Sequence, residues 1–188
     1  RVKAVTDGIL TLPMVLPPTV AGFFLLLLFS LRRPFGAYLY DTFNFKVVQT
    51  WLGCILAATV IAFPLMYRNA RAAFEQVDVN LIYAGQTLGM SDRKIFWKVI
   101  VPAAGPGIAS GTVLAFARAI GEYGATSMLA KNIFGKTRTV SVAIAAETSA
   151  GNYDVAGFWV VVIVVISFAI VALINIVSGR GMKSRRWI

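Results

Sequence analysis

The stretch Asn80-Leu-Ile-Tyr-Ala-Gly-Gln-Thr-Leu-Gly-Met-Ser-Asp-Arg-Lys-Ile-Phe-Trp-Lys-Val-Ile-Val-Pro102 decides how the rest of this chain is read. It interrupts long apolar runs with two short polar helices, a glycine turn and the basic residues Arg93, Lys94 and Lys98, and apolar sequence restarts at a proline. Asp78 is placed to cap a helix that runs to about Leu88, Gly89 suits the left-handed residue that ends it, and Ser91 is placed to cap the next helix. Ala84 and Gly85, with Gly89 at the turn, give a surface with almost no side-chain bulk. Leu81, Tyr83, Leu88, Ile95, Phe96 and Trp97 supply apolar contacts around it. Two readings stand for such a knuckle. It is a docking surface built for close approach by a partner, or an amphipathic element lying on lipid headgroups and anchored by Trp97.

The flanking sequence names the solvent. Hydrophobic residues make up 58% of the 188 positions and charged residues 14%, against roughly 45–50% and roughly 25% in soluble domains. Mean hydropathy is +0.75. Four runs lack charge: Gly8 to Phe29, Val47 to Tyr67, Val99 to Ala117 and Val155 to Gly179. Each matches the roughly 20 helical residues needed to cross a bilayer, and the third continues through Arg118 and Glu122 to about Leu129. None has the form of a cleaved signal peptide. The expected organisation is one transmembrane domain over 1–188, with spans at about 8–29, 47–67, 99–129 and 155–179 and an inserted segment at 68–98. A chain that starts at Arg1 rather than Met is expected to be a fragment.

The net charge of +10 is not read as a nucleic-acid footprint, because the basic residues sit at the ends of apolar runs, where headgroups and the orientation rule place them. With both ends in the cytoplasm, the inner segments hold eleven cations: Arg1, Lys3, Arg68, Arg71, Arg93, Lys94, Lys98, Arg180, Lys183, Arg185 and Arg186. The outer loops hold six: Arg32, Arg33, Lys46, Lys131, Lys136 and Arg138. That asymmetry places the 68–98 segment inside the cell.

Proline and glycine interrupt the first three spans, at Pro13, Pro17, Pro18, Pro64, Pro102 and Pro106. Lipid cannot satisfy the carbonyls these prolines free, so neighbouring helices or a watery path must. Gly107 and Gly111 fit a small-residue helix-packing face, or a hinge. The last span, rich in Val and Ile without proline, is expected to face lipid. Cys54 is the one cysteine, so no intrachain disulfide forms, and histidine is absent. No metal site, cofactor or catalytic constellation is expected. Gly135-Lys136-Thr137 lacks the glycine that a phosphate-binding loop needs five residues before its Gly-Lys-Thr.

The order Ala84-Gly85, three residues, Gly89, nine residues, Val99-Ile100-Val101-Pro102 resembles the coupling signature of permease subunits of bacterial ABC importers, with Tyr83 where that family usually has Glu. Ala115-Phe-Ala-Arg-Ala-Ile-Gly-Glu-Tyr-Gly-Ala-Thr126, Asn132-Ile-Phe-Gly-Lys-Thr-Arg-Thr139 and Leu12-Pro-Met-Val-Leu-Pro-Pro18 look like the tetrahedral-oxyanion branch, most like the molybdate permeases. The resemblance covers roughly residues 5 to 178. It implies an all-α, polytopic transmembrane helical bundle of the type I ABC importer (MetI-like) permease fold, with at least one further span before Arg1. It also implies a pair of cytoplasmic ATP-binding subunits, a second copy of the permease and an extracytoplasmic oxyanion-binding protein as partners in a bacterial or archaeal inner membrane. Coupling to the ATPase then falls to Tyr83, Ala84, Gly85, Leu88, Gly89 and Pro102. Tungstate is close to molybdate in size and charge, and sulfate permeases share much of the pattern.

Arg118 and Glu122, four apart, share one helical face, and a charge at mid-bilayer costs about 2.5–3.5 kcal/mol unless paired or hydrated. They form either a structural pair or, with Tyr123 and Thr126, part of a translocation path or gate. Among the rivals, a secondary transporter would show internal repeats and several midplane ionisable residues, and a channel needs no docking knuckle.

Overall fold

The computed structural model describes residues 2–183, and side chains within 5–173. Arg1, Lys3, Arg180, Lys183, Arg185 and Arg186 of the orientation count lie outside the described side chains, as does the 174–179 end of the fourth run. The described residues form α1 (Val2–Val15), α2 (Pro18–Phe29), α3 (Pro34–Phe43), α4 (Trp51–Glu75), α5 (Val79–Thr87), α6 (Asp92–Ile95), a π-helical turn (Phe96–Ile100), α7 (Val101–Ile120), α8 (Gly124–Leu129), α9 (Val140–Ser149) and α10 (Tyr153–Lys183). No strand occurs among them. The all-α expectation is met.

Three stretches are long and apolar enough to cross a membrane: Trp51–Glu75, Asp92–Ile120 and Tyr153–Leu173. The first apolar run is not one straight span. It is two helices bent by 111°, because two consecutive prolines force the residues before them out of helical geometry while Pro18 is favoured in the first turn of α2. The third run also differs from expectation in two ways. It starts earlier, since α6, the π turn and α7 form one helix of 29 residues, so Pro102 does not restart it. Val101 N–H reaches back five residues to the Phe96 carbonyl, and this wider turn sits directly before the proline ring. It also ends earlier, at Ile120, and α8 follows as a separate helix.

The helices pack where side chains are smallest. A Cβ on Gly107 would lie 2.5 Å from Ala73 Cβ, and one on Gly111 would lie 2.6 Å from Asn69 Cβ, so both glycines let α7 press against α4. Likewise a Cβ on Gly22 would lie 2.5 Å from Ala125 Cα, which sets α2 directly on α8. Apolar tails give little drive for helices to associate in lipid, so close van der Waals approach takes over that role. The core joins Ala21, Val47, Ala57, Ile61, Ala125 and Leu129 from α2, α4, α8 and the chain before α4. The last apolar helix is different: only 6% of its apolar window is buried within the chain.

At the far end of α4 the Arg71 guanidinium bridges Asp7 of α1 and Glu75, and Tyr67 donates its hydroxyl to Asp7 at 2.5 Å. This network ties α1 to the end of α4 that leads into α5. Replacing Gly107 by Val is expected to cost about 1–3 kcal/mol by overpacking against Ala73. Gly105→Ala, whose Cβ would meet nothing within 4 Å, should cost nothing. Thermal unfolding of the two variants in detergent checks this.

Candidate coupling and translocation site

The elbow after α4 is built by local backbone chemistry. Asp78 Oδ1 accepts from Asn80 N–H at 2.9 Å and opens α5. At its end Gly89 takes φ +69°; its N–H reaches the Gln86 carbonyl at 2.9 Å and Met90 N–H reaches the Gly85 carbonyl at 3.1 Å. These two bonds are the Schellman pattern that stops a helix at a left-handed residue. Ser91 precedes α6 as expected, but its hydroxyl makes no capping bond; its carbonyl accepts from Lys94 and Ile95 instead.

The small residues divide into two roles that the sequence did not separate. Gly85 is buried, and a Cβ there would lie 3.0 Å from Ile95 Cγ1, so its smallness lets α5 fold onto α6. Ile95, expected among the outward contacts, is only 2% exposed. Phe96 stacks on Phe74 of α4 with centroids 6.2 Å apart, which fixes the elbow to the membrane helix. Ala84 and Gly89 are exposed, and beside them Tyr83 and Leu88 stand out at 58% and 79% exposure. Tyr83, Ala84, Leu88 and Gly89 thus face outward, and Leu81 and Trp97 are exposed as well. Pro102 lies apart from them, inside the membrane-directed helix.

The second site lies where two helix breaks meet. A Cβ on Gly124 would be 3.0 Å from Pro18 Cβ and 3.1 Å from Thr19 N, so the start of α8 touches the start of α2. Glu122 sits in the α7–α8 break with its side chain 1% exposed and accepts from Arg118 Nη1 at 2.8 Å. Its other oxygen accepts from Ala125 N–H at 2.7 Å, so one carboxylate neutralises the arginine and satisfies an amide freed where the helix restarts. The break was legible in principle from Gly121-Glu122-Tyr123-Gly124; the amide partner was not anticipated.

Arg118 is 37% exposed and lines a cavity of about 330 Å³ together with Pro13, Met14, Leu16, Pro18 and Ile61. Tyr123 is 45% exposed. Thr126, grouped with these residues from the sequence, is 2% exposed and is packing rather than lining. The Thr112 and Ser127 hydroxyls bond their own backbone, donating to the Ile108 carbonyl at 2.9 Å and the Gly124 carbonyl at 3.0 Å. Arg138 is also committed. It pairs with Glu147 and lies 5.8 Å from the Phe134 ring centroid. The Asn152 amide, and then Arg138, hold the Glu147 carboxyl below the usual carboxylate range. No group of metal-binding side chains occurs among the described residues.

Comparison with known proteins agrees with this architecture. Residues 1–178 match the family described as binding-protein-dependent transport system inner membrane component. The molybdenum transport system permease protein ModB of Escherichia coli K12 is 47% identical over 142 residues, 76% of this chain and 62% of that protein. The molybdenum transport system permease protein ModB of Azotobacter vinelandii is 32% identical over 184 residues, 98% of this chain and 80% of that protein. The sulfate transport system permease protein CysT of Salmonella typhimurium is 33% identical over 178 residues, 95% of this chain and 64% of that protein. A match over nearly the whole chain, on a helical bundle with an exposed elbow between two membrane-directed helices, shows that the chain belongs to the family of binding-protein-dependent transport inner membrane components.

Proposed function

We propose that this chain is the membrane-spanning permease subunit of an ATP-driven importer for molybdate, or the closely similar tungstate. The observation that carries the mechanism is the elbow. A left-handed glycine turn holds Tyr83 and Leu88 outward on a segment that continues as one helix from Asp92 to Ile120. Force applied to the outward face reaches the helix break beside Arg118. In this reading a pair of cytoplasmic ATPase subunits grips the elbow, and the ATP chemistry belongs to them. A second copy of the chain completes the path, an extracytoplasmic protein delivers the anion, and both ends of the chain face the cytoplasm. ATP-driven closure switches the bundle between inward-open and outward-open states as a rigid-body change.

Arg118, Glu122 and Tyr123 form the candidate path element. The half-exposed guanidinium offers an anion a transient partner, and the buried Glu122 carboxylate keeps it from holding that anion tightly. The molybdate assignment rests on the 47% identity to the Escherichia coli molybdenum permease protein. A sulfate reading is favoured by the 33% identity to the Salmonella sulfate permease protein over 95% of the chain. Uptake into proteoliposomes holding the whole transporter separates the two: molybdate transport that millimolar sulfate leaves unaffected supports the first reading, and preferential sulfate transport overturns it.

Leu88→Asp, at a side chain 79% exposed, is expected to abolish co-purification of the ATPase and to cut uptake at least tenfold while leaving thermal stability unchanged. Gly89→Asn, which tolerates the left-handed region, should retain most coupling, whereas Gly89→Val should not. At the helix breaks, Arg118→Ala leaves the Glu122 carboxylate buried without its cation and is expected to cost about 1–3 kcal/mol. The neutral pair Arg118→Met with Glu122→Gln should recover stability and raise the KM for oxyanion uptake. Unfolding curves and uptake kinetics on the same preparations check both.

A further inference from the structure

At the opposite end of α4 from the elbow lies a cavity of about 490 Å³ whose lining includes three exposed cations, Arg32, Lys46 and Lys131. They come from three separate places: the turn between α2 and α3, the segment before α4 and the second residue after α8. None of the three takes part in the ion pairs found among the described residues, and no carboxylate lines the cavity. Three like charges with no carboxylate between them leave the cavity positively charged, which favours an anion there. Leu26, Leu27 and Leu31 line the same cavity.

The backbone beside this cavity is strained at two points: Gln49 and Lys131, non-glycine residues at φ 61° and 62°, both line it, while the other described non-glycine residue with positive φ, Asn44, is the left-handed cap that ends α3. Such conformations persist only where the surroundings over-determine them, and they gather at ligand sites. Here the restraint is explicit. Gln49 N–H donates to the Leu129 carbonyl at 3.2 Å. The buried Thr137 hydroxyl contacts the Ala130 and Lys131 carbonyls at 2.9 and 3.2 Å. The left-handed turn holds Lys131 at the cavity with the other two cations.

We infer that this cavity is a binding site for a tetrahedral phosphate-type oxyanion, held by Arg32, Lys46 and Lys131. The leucines lining the same cavity favour the headgroup of an anionic phospholipid, whose acyl chain would lie along α2, as the source of that oxyanion. A free inorganic anion is the other source. The inference goes beyond the transport reading and does not depend on which anion is carried.

The test uses the complete transporter in nanodiscs and two probes. In discs containing phosphatidylglycerol, native mass spectrometry should find the lipid retained by the wild type and at least tenfold less by Arg32→Gln/Lys46→Gln/Lys131→Gln. In discs of phosphatidylcholine alone, radiolabelled inorganic phosphate should bind the wild type at least tenfold more tightly than the triple variant if the source is a free anion. Loss in the first arm identifies the headgroup, and loss in the second identifies the free ion. Lys131→Gly relieves the left-handed strain while removing the cation, so it should lose the ligand without a lower Tm; Lys131→Arg should keep it. Equal binding by wild type and triple variant with both probes, or none by either, overturns the inference.

Discussion

A broken helix inside a membrane depends on finding partners for the backbone groups that the break exposes, and in this chain that requirement falls on one buried carboxylate. Glu122 accepts from Arg118 on the helix that ends and from Ala125 on the helix that begins. The Glu122 carboxylate is 1% exposed, so these two bonds stand in for the water it lacks. The second break, at Pro17 and Pro18, packs directly against the first through Gly124. Two interruptions that would each be costly alone are thus placed together, where polar groups, a half-exposed arginine and a cavity share one location. Irregular backbone at membrane depth is tolerated where it is covered by protein or lines such a space.

The elbow solves a different problem with the same economy of side chains. Gly85 and Gly89 carry one motif but act differently. The first removes bulk so that α5 can close on Ile95, and the second supplies a backbone angle that other residues adopt at a cost. Tyr83, Ala84, Leu88 and Gly89 remain exposed beside each other. Stacking of Phe96 on Phe74 ties the elbow to α4 as well as to the helix that continues as α7.

Much of this was legible in the sequence because composition, capping residues and glycine turns act locally. The elbow's helix cap at Asp78 and its left-handed turn at Gly89, and the apolar character of the long helices, follow from such local signals. The departures come from contacts that no local pattern encodes. Whether Pro102 breaks a helix depends on the π turn before it. Whether Gly85 faces a partner or Ile95 depends on how α5 folds back. Thr126 shares a stretch with Glu122 and Tyr123, yet the packing of α2 on α8 buries it. Arg138 and Lys131 belong to the same set of basic residues by sequence, but Glu147 takes the first while a left-handed turn sets the second at a cavity.

The unbroken helix from Asp92 to Ile120 has a mechanical meaning. At about 1.5 Å per residue its 29 residues make a rod of roughly 43 Å, with the motor-facing knuckle at one tip and the guanidinium of Arg118 near the other. In the proposed importer, a helix of that length would carry a stroke by tilting, so that movement at the elbow end swings the Arg118 end, with the π turn at Phe96–Ile100 as the place where it can bend.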